Sequence, residues 1–190
     1  RGASPIEYAL LNGDKKTGVT IIKIVKKLDA GPILSQEQIS ISDNDNKEIL
    51  IKKINTAGKK MLLDFLPKYF ENKIVPKEQY ETKATYAKKI NSKMRKINFH
   101  LSSNNVLNQI RAYSPSPGAW FIYKNERIKI LSATQSTKSG KPSTVLTDKF
   151  ELACKEGSIS PKILQREGKK SMQINDFLRG FTFSKFDHLN

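Results

Sequence analysis

Few residues in this 190-residue sequence could carry out chemistry. The two histidines, His100 and His188, leave little for a metal site, and the one cysteine, Cys154, excludes an internal disulfide. The clearest acid–base candidate is Asp29, within Leu28-Asp29-Ala30-Gly31-Pro32. Glycine and proline predict a turn there, and a carboxylate on a turn either bonds its own backbone or serves a substrate. The residues alone leave both roles open and predict no metal.

The second feature with a functional meaning is the excess of positive charge, which could bind an anionic partner. Lys and Arg number 34 against 18 Asp and Glu, a net charge of +16. Residues 1–75 contribute 13 basic and 9 acidic side chains, whereas residues 76–190 contribute 21 and 9. Such an excess attracts polyanions, although a lysine-rich solvated surface would give the same count. The local concentrations are Lys88, Lys89, Lys93, Arg95, Lys96, Lys169 and Lys170.

The first part of the chain, residues 1–72, predicts mixed α/β structure. Ser4 and Pro5 open a short helix, and the β-branched run Val19–Val25 predicts a strand. A second extended stretch covers Ile33–Ser42, and Ser42 or Asp43 opens a long helix that ends near residue 70. Two strands are too few to cover this helix, so we expect the rest of its sheet to precede the chain.

The remaining residues predict a linker and a small barrel. Residues 73–90 are polar without a clear period, as in a linker. Beyond them, a short helix over Asn104–Tyr113 is followed by short apolar segments separated by turns, and a last helix covers Ile174–Phe181. This pattern is typical of a closed β-barrel, with Trp120 and Cys154 in its core.

The sequence also bears on membrane insertion, on cellular location and on whether the chain is complete. No run of about 18 apolar residues is present, which excludes a membrane protein. No targeting pattern follows the first residue, so we expect a cytoplasmic location. Because that residue is Arg1 rather than Met, the chain resembles a piece of a longer protein.

Residue order is more informative than composition. The segments 1–6 (RGASPI), 18–21 (GVTI) and 28–31 (LDAG) resemble, in this order, the catalytic domain of formyltransferases that use 10-formyltetrahydrofolate. The later segments 84–90 (ATYAKKI), 110–119 (IRAYSPSPGA), 168–172 (GKKSM) and 176–180 (DFLRG) resemble methionyl-tRNA formyltransferases. Each motif is moderately specific, and their shared order strengthens the match.

The resemblance implies a fold class of α/β plus β-barrel. Residues 1–72 would form part of a Rossmann-like catalytic domain, 73–90 a linker, and 91–190 an OB-like C-terminal barrel. The implied reaction transfers a formyl group from 10-formyltetrahydrofolate to the α-amine of methionyl initiator tRNA, in an enzyme that is monomeric when intact. The family's catalytic Asn and His would precede Arg1, so we expect this chain alone to be inactive.

The resemblance also assigns roles to residues. Asp29 would be the one member of the catalytic trio present, serving an imidazole and a proton-relaying water. Formyl-donor binding would involve Thr20, Val25, Lys26, Lys27 and Leu28, although the family has an acidic or small residue where this chain has two lysines. Binding of tRNA would use the seven basic residues named above.

Two alternatives stay open. The first is a formyltransferase or formyl-folate hydrolase with a small-molecule acceptor, which the charge of residues 76–190 disfavours. The second is a non-catalytic, basic RNA-binding OB module attached to a degenerate catalytic remnant. A strong salt dependence of RNA affinity would argue against the small acceptor.

Overall fold

The computed structural model describes residues 1–189 and divides them into two compact units. The first unit contains Arg1–Ala9 and Asp14–Ile90, and the second contains Leu10–Gly13 and the residues from Asn91 onward. Residues 73–90, predicted to be a linker, therefore belong to the first unit. None of the helices in residues 1–189 is both long and apolar enough to cross a membrane.

The chain begins with α1 (Pro5–Leu11), whose last two residues are assigned to the second unit. The first unit then holds a two-stranded ribbon and a long helix, in the order β1 (Lys16–Ile22), β2 (Ile33–Ser40) and α2 (Lys47–Phe70). The α/β content is confirmed. The predicted end of the first strand at Val25 is wrong, because the chain leaves the ribbon after Ile22 to form a loop. The predicted start of the long helix is also wrong, because the side chain of Asn46 caps it by accepting the N–H of Ile49 at 3.0 Å.

Within residues 1–189, α2 buries some of its apolar side chains and exposes others. Leu50, Met61 and Phe65 of α2 are buried, whereas Leu63 and Phe70 are largely exposed. Between residues 1 and 189, β1 and β2 are the only strands of the first unit, and they are antiparallel. The parallel sheet expected of a Rossmann-like domain is therefore absent from this part of the chain.

Residues 73–90 fold onto the rest of the first unit. The backbone of Lys77 exchanges two hydrogen bonds with Ile33, of 2.7 and 2.8 Å. A 3₁₀ turn covers Glu81–Lys83, and Ala87 then pairs with the start of the chain, accepting the N–H of Ala3 at 2.9 Å. These contacts join segments that are distant in sequence, and they hold residues 77–87 against the first residue of β2 and the start of the chain.

The second unit is an antiparallel sheet with two helices. Its elements are a 3₁₀ turn (Lys93–Arg95), α3 (Ser103–Tyr113), β3 (Ala119–Tyr123), β4 (Glu126–Ser136), β5 (Leu152–Ala153), β6 (Ser158–Arg166), β7 (Met172–Gln173) and α4 (Ile174–Gly180). The strand order is β3-β4-β6-β5, with β7 also paired to β6. One of the short apolar segments expected to be strands, Thr144–Leu146, is not a strand, since it makes only isolated bridges. Closure of the sheet into an OB-like barrel stays a prediction.

Aromatic side chains fill the core of the second unit. Phe150 stacks on Phe183 with 3.7 Å between ring centroids, and Phe121 lies 6.1 Å from Phe150. Cys154 is buried, as predicted, and burial raises the pKa of its thiol to about 12. Trp120 is not in this core, because it lies half-buried on β3 between two fully buried neighbours in the strand's alternating pattern.

Candidate active site

The predicted turn around Asp29 belongs to a closed loop between β1 and β2, residues 23–32. The N–H of Lys23 donates to the carbonyl of Pro32 at 2.9 Å, which closes the loop at its base. Gly31 lies against the same residue, and a Cβ added there would be 1.6 Å from the Lys23 carbonyl oxygen. Only glycine permits this approach, so the glycine of the Leu-Asp-Ala-Gly sequence determines how the loop closes.

Asp29 is exposed on this loop and is held by a distant part of the chain. Its backbone has a positive φ of 48°, and its Oδ2 accepts the N–H of Gly2, 27 residues away, at 3.0 Å. In a simple turn, the carboxylate would bond the backbone of its own turn. Here it bonds Gly2 instead. Within residues 1–189 its Oδ1 has no hydrogen-bond partner, which leaves that oxygen open to a substrate, a water or an imidazole.

The contact between Asp29 and Gly2 depends on a close approach of the Gly2 backbone to that of Ala87, as the loop depends on the approach of Gly31 to Lys23. Gly2 has a φ of +109°, and a Cβ at this position would lie 2.6 Å from the carbonyl oxygen of Ala87. The side-chain amide of Gln79 supports the loop from the other side, donating to the carbonyls of Asp29 at 3.0 Å and Gly31 at 2.7 Å. The position of Asp29 is thus set by residues near both ends of the first unit.

A group of charged residues surrounds this anchor. The carboxylate of Glu81 pairs with Lys27 and with Arg1, each at 2.8 Å. The hydrogen bonds from Lys27 and then Arg1 lower the pKa of Glu81 to about 2. The Arg1 guanidinium also donates to the side-chain oxygen of Gln79 at 3.3 Å, so the pairs form one chain of contacts beside the loop.

The other residues predicted to bind the donor divide into two groups. Val25, Lys26 and Leu28 are exposed on the loop beside Asp29, next to Ile24, whose surface is 92% exposed. Thr20 lies instead on β1, where its hydroxyl accepts a hydrogen bond from Gln36 at 3.0 Å. Lys27 is held by Glu81.

No imidazole of the first unit is available to Asp29. Both histidines lie in the second unit, where a ring nitrogen of His188 is 2.9 Å from the carbonyl of Ser143 and His100 is exposed. Over residues 1–189, no group of three or more His, Cys, Asp or Glu side chains could hold a metal ion.

The structure separates the predicted tRNA-binding residues. Lys88 and Lys89 are exposed in the first unit, and the other five lie in the second. Lys93 and Lys96 line a cavity of about 480 Å³ that both histidines share. Arg95 is directed elsewhere, towards the carbonyls of Pro117 and Gly118 at 3.4 and 3.5 Å. Lys169 and Lys170 are exposed in the turn between β6 and β7.

Sequence reasoning missed Arg1, Gln79 and Glu81 as supports of the candidate site. Nothing in their spacing connects them with Asp29, because Gln79 is 50 residues from it along the chain. The available signal was the resemblance itself, since Arg1 and Gly2 begin one of its motifs and segment 84–90 forms another. The structure brings these two motifs and the Leu-Asp-Ala-Gly turn together through Gly2.

Comparison with known proteins gives matches for both parts of the chain. The family model described as "Formyl transferase" matches residues 1–66, and that described as "Formyl transferase, C-terminal domain" matches residues 89–182. The methionyl-tRNA formyltransferase of Pelagibacter ubique is 39% identical over 181 residues, 95% of this chain and 58% of that protein. The methionyl-tRNA formyltransferase of Listeria innocua is 40% identical, again over 95% of this chain and 59% of its own length. The chain thus spans less than two thirds of these relatives.

Solved structures share the fold. HypX from Aquifex aeolicus in complex with tetrahydrofolic acid superposes with a TM-score of 0.73 at 17% identity, covering 100% of this chain and 36% of that one. An N-formyltransferase from Helicobacter canadensis with folinic acid and dTDP-3-aminofucose gives 0.70 at 22% identity, over 85% and 61%. Methionyl-tRNA formyltransferase from Clostridium thermocellum gives 0.56 at 25%, over 74% and 60%. With both parts of its sequence matched by formyl transferase models, the chain belongs to the formyl transferase family.

Proposed function

We propose that this chain is part of a methionyl-tRNA formyltransferase, which transfers a formyl group from 10-formyltetrahydrofolate to the α-amine of methionine on initiator tRNA. The observation that carries this proposal is the identity of 39% and 40% to enzymes of that name, across 95% of the chain. The same proposal places the reaction in the cytoplasm and takes the intact enzyme to be a monomer.

The chemistry assigns a specific task to Asp29. The attacking amine must be neutral, and the tetrahedral intermediate carries an oxyanion while its nitrogen sheds a proton. A carboxylate can keep a neighbouring imidazole oriented and charged. The charged imidazole stabilises the oxyanion, and the carboxylate helps to remove the proton from the nitrogen through a water. One oxygen of Asp29 accepts the Gly2 N–H, and in our proposal its other oxygen is the one that contacts the imidazole. In our proposal the imidazole and an amide come from residues that precede Arg1 in the gene product.

The formyl donor would lie against the loop 23–32. The donor supplies the electrophilic formyl carbon, and the exposed surfaces of Val25, Lys26 and Leu28 contribute to its binding. Lys27 supports the loop through Glu81 rather than facing the donor. Thr20, hydrogen-bonded to Gln36 on the ribbon, is a more remote candidate.

The basic residues would hold the acceptor RNA through its phosphates. Lys88, Lys89, Lys93, Lys96, Lys169 and Lys170 are all exposed, and phosphate contacts of this kind position a nucleic acid without reading its bases. Residues 76–190 carry 21 basic and 9 acidic side chains, which favours a polyanionic acceptor over a small one.

The test is a formylation assay with purified charged initiator tRNA and 10-formyltetrahydrofolate. We expect multiple turnovers from the full-length gene product and none from the 190-residue chain alone. Formylation of an amino sugar nucleotide in place of the tRNA, or hydrolysis of the donor without transfer, would establish the small-acceptor alternatives instead. Salt-dependent tRNA binding by a full-length product that transfers no formyl group would establish the RNA-binding module.

A further inference from the structure

A second cavity, of about 300 Å³, lies on the second unit and has no part in the site described above. Its lining includes Arg95, Arg127, Lys129, Gln165 and Arg166, and the turn at Ser116-Pro117 closes one side. Arginine and lysine thus dominate a concave surface that is large enough for a phosphate group and part of an attached sugar.

The strand register places the polar residues of this cavity on one face of the sheet. Lys129 on β4 is opposite Trp120 on β3 and opposite Gln165 on β6. Arg127 precedes Lys129 by two residues and so shares its face, because side chains alternate along a strand. The intervening Ile128 is fully buried on the other face.

Arg127 packs on an aromatic ring and has hydrogen-bonding capacity to spare. Its guanidinium lies 4.5 Å from the centroid of the Trp120 ring, and the indole N–H is itself fixed by the carbonyl of Ser92 at 3.3 Å. The Nε of Arg127 is buried without a hydrogen-bond partner among residues 1–189. The nearest carboxylate contact, from Glu167, is 3.8 Å long. The Arg127 side chain as a whole keeps 40% of its surface exposed, so its terminal guanidinium nitrogens can donate to a ligand in the cavity.

The charge of the cavity is positive after its internal ion pair is subtracted. Arg166 is neutralised by Glu126 through two hydrogen bonds of 2.6 and 2.9 Å. Arg95 bonds only backbone carbonyls, and Lys129 has no ion pair among the described residues. Arg95, Arg127 and Lys129 therefore face one carboxylate, that of Glu167. An anion that enters this cavity meets two or more uncompensated cations.

We propose that this cavity binds a backbone phosphate of the acceptor RNA, with Arg127 and Lys129 as its principal ligands. The proposal rests on the proposed function, which supplies the RNA, and it adds two residues that the sequence did not single out. The planar guanidinium of Arg127 matches two phosphate oxygens, whereas Lys129 adds a point charge. Arg95 also lines the cavity and adds a third cation.

The test measures binding of the 190-residue chain to uncharged initiator tRNA between 50 and 200 mM salt, by fluorescence anisotropy of labelled tRNA. Variants Arg127→Gln and Lys129→Gln, singly and together, are compared with Lys149→Gln, an exposed lysine outside the cavity that loses the same charge as either single variant. We expect the double variant to bind about 10-fold or more weakly, with the salt slope reduced by about 1. The control should retain the affinity and slope of the parent chain.

Trp120, the single tryptophan of the chain, gives an independent readout. Occupation of the cavity should change its emission in the parent chain and in Lys149→Gln, and not in Arg127→Gln. Addition of inorganic phosphate alone at the same ionic strength distinguishes a free anion from an RNA phosphate, since only the RNA should saturate the change at micromolar concentration. Thermal unfolding and the charge-conserving Arg127→Lys check that a weak variant is folded.

The result that would overturn the site is tRNA binding by the double variant with the affinity and slope of the parent chain. An emission change at Trp120 that phosphate alone saturates equally well would also overturn it. Neither outcome affects the proposed function, which the formylation assay of the full-length gene product tests separately.

Discussion

Replacement of Gly31 by alanine tests how the candidate catalytic loop is built. The added Cβ would be 1.6 Å from the Lys23 carbonyl oxygen and 2.8 Å from its carbonyl carbon. Because real Cβ atoms essentially never come closer than 3.0 Å to another heavy atom, the backbones must separate by about 1.4 Å. Backbone atoms cannot swing away as a flexible side chain does, so the base of the loop has to open.

Two hydrogen bonds are lost when the loop opens. They are the bond from Lys23 to Pro32, 2.9 Å long, and the bond from Gln79 to the carbonyl of Gly31, 2.7 Å long. At about 0.5–1.5 kcal/mol each, the free energy of unfolding should fall by about 1–3 kcal/mol. Asp29 is two residues from the clash, and a displacement of about 1 Å can cost about 100-fold in rate. We therefore expect kcat/KM of the full-length gene product to fall by about 100-fold.

The assay is urea unfolding of the 190-residue chain combined with amide hydrogen exchange of residues 23–32. Gly58→Ala is the matched control, because its Cβ would meet Val19 at an ordinary 3.5 Å within α2. This control should be stabilised by about 0.5–1 kcal/mol. If Gly31→Ala unfolded at the same urea concentration as the parent chain and exchanged its loop amides no faster, the close approach would not govern the loop.

Three further predictions follow from the described contacts. Lys27 and Arg1 lower the pKa of Glu81 to about 2 from its usual 4.5, so this carboxylate stabilises the fold above about pH 4.5 and loses that contribution as the pH falls towards 2. Urea midpoints of Glu81→Gln and the parent chain should differ at pH 6 and converge near pH 2; a constant difference would contradict the pairing. Because burial raises the pKa of Cys154 to about 12, its thiol should react with a disulfide reagent at pH 8 only after unfolding, and rapid native labelling would contradict this. Phe150→Ala should reduce the free energy of unfolding by about 3–5 kcal/mol, against at most about 0.5 kcal/mol for the exposed Phe186→Ala, and equal losses would show that the aromatic core is wrongly assigned.

The elements that the sequence predicted best are those whose signals are local. The apolar period predicted a helix over Asn104–Tyr113, which differs from α3 by one residue. The short apolar segments separated by turns correspond in part to β3 and β4, which are joined at Lys124-Asn125. Both hairpin residues have positive φ, and Tyr123 pairs with Glu126 across this two-residue loop. The pairing of Trp120 with Lys129 could therefore have been derived by counting outward from the turn.

The candidate site could be predicted only in part, for a physical reason. Residue order identified Asp29, but the groups that hold it are Gly2 and Gln79, which no period or spacing connects with the loop. The extended segment was expected to continue to Val25 because its residues are β-branched, yet closure of the loop at Lys23 overrides that preference. Such long-range backbone approaches become visible only once the chain is folded.

The most direct test of the account is the rate of formyl transfer from 10-formyltetrahydrofolate to methionyl initiator tRNA by the full-length gene product and its Asp29→Asn variant. Asparagine retains an oxygen for the Gly2 N–H but loses the charge. If this carboxylate takes part in formyl transfer, kcat should fall by about 100- to 10,000-fold. Asp14→Asn, with the same charge change at another exposed position of the first unit, should leave kcat unchanged. Turnover by Asp29→Asn at the parent rate would contradict the central claim that this carboxylate takes part in formyl transfer.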